Sequence, residues 1–509
     1  MTDFPWLTTL LLVPVVGAAV VALLPRGFAR AREVALGFSL LTLLVAFGTL
    51  GSFAGSEGGF QLTETYPWIP QFGVSFALGV DGLGMAMILL GTILVPVCLV
   101  AAWEDVPAAG RRQQSYFAWM LLLEAFMVGV FAATDVFLFY VFFEAMLVPV
   151  YFLIGQFGGP DRARAAMTFL LYSLAGGLIM LVAVIALYLQ GPGGSDGFLL
   201  ERLTGLQIGG TTEALLFLGF FIAFAIKAPL WPVHTWLPLA ASESRPATAV
   251  LLVGVLDKVG TFGMLRFCLR LFPEASQWAT PVVITLAVIS VLYGAVLAVG
   301  QTDMLRLIAY TSVSHFGFII LGIFAMTQVS GTGASLYMVN HGFTTAALFL
   351  IAGMLIARGG SREIAAYGGW QRVTPVIAGS LLVAGLSGLS LPGLNSFVSE
   401  FMVIVGSFQR YPVAAVIAAL GVILAAVYIL LWYKKVATGP LPEAHPAGAA
   451  TARDMSMREK VVVAPLIAAF LALGFYPRPV IDLLEPAIQS TLQEVGVSEP
   501  VPAAEGSDR

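Results

Sequence analysis

Apolar residues run in blocks of about twenty along nearly the whole chain, long enough to cross a bilayer as helices, and short Pro-, Gly- and charge-containing segments separate them. Read against that punctuation, the pattern predicts helices over 5–24, 33–53, 80–103, 115–133, 135–157, 165–190, 213–241, 246–270, 279–300, 303–326, 332–358, 374–408, 411–433 and 460–476, about 14 spans by the usual length of a membrane helix. The seventh and twelfth windows are too long for one straight span. The seventh contains Pro229, Pro232 and Pro238 and the twelfth contains Pro392 followed by Gly393, so each predicts a helix broken within the membrane.

The expected fold is an all-α polytopic membrane protein with two five-helix repeats, helices four to eight and nine to thirteen, each with its broken member fourth. A unit with an odd number of spans, repeated in tandem, must be inverted, and matching broken helices in inverted repeats point to an ion path near the midplane. The division follows: 1–114 as an N-terminal three-helix segment, 115–272 and 273–433 as the repeats, and 434–509 as a last membrane helix with a surface tail. Most of the 25 Lys and Arg residues fall in loops joining odd to even helices, from Arg26, Arg30 and Arg32 to Arg453, Arg458 and Lys460, whereas the opposite side has only Arg202, Arg266, Arg270, Arg410, Arg478 and Arg509. The positive-inside rule then puts both termini outside. The acidic start, Met-Thr-Asp-Phe-Pro-Trp, predicts a first helix that is kept and not cleaved as a signal. In the tail, Val480, Leu483, Leu484, Ile488 and Leu492 form a helical stripe suited to lying along the outer surface, before a Pro/Glu/Ser end expected to be disordered.

Composition narrows the functional classes. The 509 residues are 59% apolar and 11% charged, against roughly 45–50% and 25% in a soluble domain, and mean hydropathy is +0.92. No length is left for a soluble catalytic head. Net charge is only -4, with no long basic run for nucleic acid. Cys98 and Cys268 both lie in apolar runs, short of a metal or cluster ligand set, and no glycine fingerprint follows a strand. The chain is expected to hold no metal and no redox cofactor.

Candidate chemistry lies in the membrane itself. A charged residue at mid-helix costs about 2.5–3.5 kcal/mol on insertion scales, yet Glu144, Lys227 and Lys258 occur in the first half and His315, His341 and Glu400 in the second. A buried lysine beside a carboxylate keeps its charge while the pair holds and loses that support when the carboxylate moves or is protonated. Histidine accepts and donates in turn near neutral pH. These residues have the composition of a proton wire, with Lys258, His315 and His341 between Lys227 and Glu400. The competing reading is a static Glu144–Lys227 salt bridge with histidines that only join helices. Glu124 on the fourth helix and His234 in the break of the seventh are secondary candidates. Asp135 and Asp303 sit at helix starts, where N-capping explains them; His445 is expected in a solvated loop. Asp257 adjoins Lys258 but does not share its face, so it needs a partner of its own.

At these positions the chain resembles the antiporter-like, proton-conducting membrane subunits of respiratory complex I. The matching stretches are Phe76-Ala-Leu-Gly-Val-Asp81-Gly82, Asp135-Val-Phe-Leu-Phe-Tyr-Val-Phe-Phe-Glu144-Ala-Met, Lys227-Ala-Pro-Leu-Trp-Pro-Val-His234-Thr-Trp-Leu-Pro238, Arg306-Leu-Ile-Ala-Tyr310-Thr-Ser-Val-Ser-His315-Phe-Gly317, Asn340-His341-Gly342 and Leu391-Pro392-Gly-Leu-Asn-Ser-Phe397-Val-Ser-Glu400-Phe. Sister subunits usually carry lysine at the position of Glu400, so glutamate there points to the subunit M branch. The resemblance implies proton translocation driven by quinone reduction elsewhere in an NADH-quinone oxidoreductase. Glu144 and Lys227 would be the coupling pair, Lys258, His315 and His341 the central relay, and Glu400 the terminal group. NADH, FMN, iron-sulfur clusters and quinone would belong to partner subunits, and the partners would be the other membrane subunits, two sister antiporter-like subunits among them, in a bacterial plasma membrane. Three departures stand out: Leu239, Ala240 and Ala241 replace the family's usual aspartate, alanine and histidine; Leu305 replaces a lysine before Arg306; and Asp257 replaces an apolar residue. The alternative is an ion-exchange subunit of a multisubunit sodium/proton antiporter, or of a membrane hydrogenase.

Overall fold

The computed structural model describes residues 4–25, 28, 30–55, 58–106, 111–441 and 452–498; His445 and the Pro/Glu/Ser end of the tail lie outside them. Two helices, α1 (Trp6–Leu23) and α2 (Ala31–Gly51), lead into an antiparallel hairpin, β1 (Gln61–Ile69) and β2 (Val74–Val80). The sequence reading contains no strands, so this hairpin corrects the all-α expectation locally while the protein stays predominantly helical. The Ala77 carbonyl accepts from Thr134 N (3.0 Å) and Asp135 accepts from Ser75 N (2.9 Å), which ties the hairpin to the end of the bundle.

The chain continues through α3 (Gly82–Ala101), α4 (Arg111–Ala132), α5 (Val136–Ala145), α6 (Leu147–Phe157), α7 (Arg162–Gln190), the single turn α8 (Leu200–Leu203), α9 (Gly210–Lys227) and α10 (Trp236–Glu243). The span Pro246–Leu269 follows as α11 (Pro246–Leu251) and α12 (Lys258–Gly263), with π-helical turns at Leu252–Leu256 and Met264–Leu269. Then come α13 (Pro273–Val299), α14 (Met304–Phe324), α15 (Gln328–Gly359), α16 (Pro375–Gly388), α17 (Asn395–Phe408), α18 (Pro412–Ala437), α19 (Met457–Phe475) and α20 (Arg478–Val495). Among the described residues, 12 helices are long and apolar enough to cross a membrane; α16 and α17 are shorter apolar helices, and α19 and α20 are bent from one another by 70°.

Local chemistry sets the ends. Asp81, Asp135 and Asp303 cap α3, α5 and α14 by accepting backbone N–H groups, Thr327 and Ser456 form capping boxes with Ser330 and Glu459, and Pro246, Pro273, Pro375 and Pro412 open their helices without wasting a donor.

Both expected breaks are present. The seventh window divides into α9 and α10 between Lys227 and Trp236, and the twelfth divides into α16 and α17 between Gly388 and Asn395. The sequence reading treats 135–157 as one helix, and Val136–Phe157 is a single span whose hydrogen-bond ladder is locally disturbed at Met146, itself in helical geometry, directly after the Glu144 turn. Pro149 has no N–H for the carbonyl four residues earlier, that of Ala145, so the ladder is interrupted there.

The span Pro246–Leu269 is buried throughout and α14 and α15 almost throughout, whereas α2, α7, α13 and α18 turn much of their surface outward. Lys258, His315 and His341 thus ride on helices that lipid scarcely reaches, where an ionisable side chain is tolerated. Arg362 joins the loops of the two halves by bonding Glu243 (2.9 Å) and Asp303 (3.4 Å). Burial opposes its charge, but the hydrogen bond to Glu243 and the surrounding carboxylates hold the guanidinium above its usual pKa.

The tail's apolar stripe covers protein. Leu484, Ile488 and Leu492 are buried and Val480 and Leu483 pack at the edge, so α20 closes one end of the bundle. Glu494 pairs with Arg270, and Gln277 and Arg410 donate to the carbonyls of Val495 (3.1 Å) and Ser498 (2.6 Å). At the same end, Arg266 is paired with Asp81 at 2.6 Å, both side chains being almost fully buried.

Candidate functional site

Glu144 lies on the last turn of α5, half-buried, facing α7 where Gly177 leaves no side chain in its way. Lys227 is the last residue of α9, fully buried. Its ammonium sits 5.1 Å from the centre of the Phe143 ring and 5.5 Å from that of Phe169, within range of a cation–π attraction. The two residues act electrostatically on one another, but the Lys227 ammonium and Glu144 Oε1 have no hydrogen-bond partner among the described residues. A fixed contact salt bridge is therefore not the arrangement present.

Lys258 begins α12, directly after a π-turn. Its ammonium donates to the Val253 carbonyl (2.6 Å) and lies 2.7 Å from Nδ1 of His341 on α15, with the Phe316 ring centre 5.2 Å away. An ammonium donor there makes Nδ1 the acceptor and leaves the ring proton on Nε2. The π-turn is how a carbonyl five residues back comes within reach, a distortion recurrent at functional sites.

From His341 the row continues to His315 on α14, ring centres 5.3 Å apart at 88°, and from His315 to Tyr337, 5.6 Å apart. The Tyr337 hydroxyl donates to Glu400 Oε2 at 3.1 Å, and Ser390 in the α16–α17 break donates to the same oxygen. Tyr337 is absent from the sequence reading. An aromatic residue in an apolar helix carries no signal of its own; its place one turn before the Asn340-His341 motif, on the side facing α17, is visible only in the fold.

The break beside Glu400 is held by side chains. Asn340 donates to the Asn395 carbonyl (2.7 Å), Asn395 returns a bond to the Asn340 carbonyl (3.1 Å), and Ser387 bonds Asn395 Oδ1 (2.6 Å) and Thr344 (2.7 Å). These bonds tie the start of α17 to α15 and to the end of α16, fixing the two sides of the break. The break in the seventh window uses the same device: Trp236 donates to the Ile226 carbonyl (2.9 Å) and Ser290 accepts from Trp231 N (2.7 Å).

The two secondary candidates stand apart. His234 packs against the Tyr293 ring (5.2 Å), and among the described residues no hydrogen bond or ring contact joins it to the row. Glu124 is buried between α3 and α4 among Met87, Gly91, Thr92 and Phe131, and neither carboxylate oxygen has a hydrogen-bond partner among the described residues.

Broken helices and a buried line of titratable side chains running from one half to the other define a polytopic membrane subunit of the antiporter-like class. Residues 133–427 match the family model described as NADH:quinone oxidoreductase/Mrp antiporter, TM, and the chain belongs to that family. NADH-quinone oxidoreductase subunit M of Mycobacterium tuberculosis is 50% identical over 539 aligned positions, covering 99% of this chain and 97% of the relative. A chain of respiratory complex I from Thermus thermophilus with bound NADH superposes with a TM-score of 0.86 at 33% identity, over 96% of this chain and 100% of the other. A chain of the Mrp complex from Dietzia shares the fold at 23% identity, with a TM-score of 0.85 over 97% of this chain and 100% of the other.

Proposed function

We propose that this chain is a proton-translocating membrane subunit of an NADH-quinone oxidoreductase, working in a bacterial plasma membrane with both termini outside and with two five-helix units, 115–272 and 273–433, sharing the path. The observation that carries the reading is the row Lys258, His341, His315, Tyr337, Glu400, which spans both units on buried helices. Electrons pass through partner subunits that hold NADH, FMN, iron-sulfur clusters and quinone; this chain's share of the enzyme is proton movement.

Glu144 and Lys227 are the coupling pair. While Glu144 is charged and near, the Lys227 ammonium is supported; when the carboxylate is protonated or drawn aside, burial favours the neutral amine and the proton leaves toward Lys258. Lys258 then passes a proton to His341 Nδ1 along an existing contact. His341 and His315 are not directly hydrogen-bonded, so that step runs through a bridging water. Glu400, with Tyr337 and Ser390 donating to it, is the terminal acceptor. Glu124 and His234, away from the row, are assigned supporting roles at its margins.

The antiporter alternative shares the fold, but the redox-driven reading has the support of 50% identity over the full length to a subunit M and of glutamate at position 400. The test is proton uptake by inverted membrane vesicles on adding NADH. Uptake that needs no sodium, and that Lys227→Met abolishes in an assembled complex, is the expected result; proton movement that answers only to a sodium gradient assigns the chain to the antiporter class.

A further inference from the structure

Asp257 is the one buried acidic residue on the central span whose place neither the caps nor the row explains. It is fully buried, and neither oxygen of its carboxylate has a hydrogen-bond partner among the described residues. An unpartnered carboxylate at such depth is costly, so it persists where a charge or a task holds it.

Its position supplies one. The Asp257 N–H bonds the Leu252 carbonyl (3.1 Å), closing the π-turn immediately before α12. Three residues on, Gly260 lies so near the end of α9 that a Cβ there would stand 2.5 Å from the Phe224 carbonyl oxygen and from Ala228 N. Residues three apart share a helix face, so Asp257 faces the C-terminal turn of α9, which carries Lys227. Lys258, about 100° further round the helix, faces α15 and bonds His341. Asp257 acts electrostatically on both Lys227 and Lys258. Lys227 is without a hydrogen-bond partner among the described residues, and the row described above begins only at Lys258, the chain neighbour of Asp257.

We infer that Asp257 is a proton carrier between Lys227 and Lys258, taking the proton from the α9 face of the central span and delivering it to the α15 face. The inference rests on the proton-translocating reading of this chain. The step balances: the Lys227 ammonium gives H⁺ to the Asp257 carboxylate, leaving a neutral amine and a carboxylic acid, and the acid then gives H⁺ to the neutral Lys258 amine, restoring the carboxylate. No other reactant is involved. The carboxyl is neutral in transit, which suits a fully buried site better than a permanent charge.

The experiment uses the whole complex in inverted vesicles, comparing wild type, Asp257→Asn and Asp257→Glu for assembly, NADH oxidation and NADH-driven proton uptake, with infrared difference spectra recorded between resting and turning-over membranes. Wild-type uptake tests the underlying reading by itself. With that uptake present, the expected result is that Asp257→Asn lowers uptake per NADH at least about tenfold, as loss of a proton-transfer group does, that Asp257→Glu restores most of it, and that a carboxylic-acid band seen on turnover in wild type is lost in Asp257→Asn. A static counter-charge predicts no such band. Full uptake in Asp257→Asn, or a turnover spectrum identical in wild type and variant, overturns the inference. If Asp257→Asn fails to assemble, the infrared comparison between wild type and the assembled Asp257→Glu decides: the acid band must shift between them, and an unshifted band contradicts the proposal.

Discussion

The ammonium of Lys258 lies 2.7 Å from Nδ1 of His341, a contact between the central span of the first half and the long helix α15 of the second. This bond opens the row, and Lys258 also satisfies the Val253 carbonyl. Lys258→Met removes the donor of that bond and leaves two buried acceptors unmet, at a stability cost of about 1–3 kcal/mol. The expected outcome is an assembled complex with slightly lower thermal stability and no NADH-driven proton uptake. Native gels and a pH-sensitive dye in vesicles check both halves of the statement.

Tyr337 and Ser390 both donate to one oxygen of Glu400. Removing one donor leaves the other, so Tyr337→Phe and Ser390→Ala singly should slow proton uptake modestly. The double variant should lose more than the two effects summed, because the last donor to a buried carboxylate then goes and that group's desolvation cost, roughly 1–3 kcal/mol, is no longer offset. Uptake rates in the four variants of the cycle measure the coupling; strict additivity would show that the two donors act independently.

Gly177 faces the Glu144 carboxyl so closely that a Cβ at this position would overlap Oε1. Gly177→Ala on α7 should therefore push Glu144 from its place beside Lys227 without touching either titratable group. Proton uptake should fall while quinone reduction and assembly persist. Recovery with Glu144→Asp, which is one methylene shorter, in the Gly177→Ala background would identify steric displacement as the cause.

Asp81 and Arg266 form a buried pair at the end of the bundle that α20 closes. Asp81→Asn strands a guanidinium that the fold otherwise hides, at a cost of about 3–5 kcal/mol. This variant should lose assembled subunit, in contrast to the row variants, which should stay assembled and lose transport. Immunoblots of solubilised membranes after graded heating report the difference.

Most members of the proposed path are legible from residue types, because a charge within an apolar helix is conspicuous. Glu144, Lys227, Lys258, His315, His341 and Glu400 all announce themselves in this way, and prolines 229, 232 and 392 mark the two breaks that the structure shows. Tyr337 could not be read, since its hydroxyl matters only through a contact 63 residues away in sequence. The local disturbance at Met146 leaves the span Val136–Phe157 whole, as the length of the apolar run implies; Pro149 removes one ladder donor without ending the helix. The hairpin Gln61–Val80 escapes because its strands are bulged and β1 contains Pro67, which argues against a strand in sequence. The tail stripe was read correctly as amphipathic, but its apolar face meets protein, which periodicity cannot distinguish from a membrane surface.

The central claim, that a carboxylate beside Lys227 couples redox energy to proton movement, is tested most directly by Glu144→Gln. Proton uptake into inverted vesicles on adding NADH should be lost or greatly reduced in this variant at wild-type expression, in a fully assembled complex measured in parallel with NADH oxidation. Unchanged uptake and oxidation in Glu144→Gln would contradict the account.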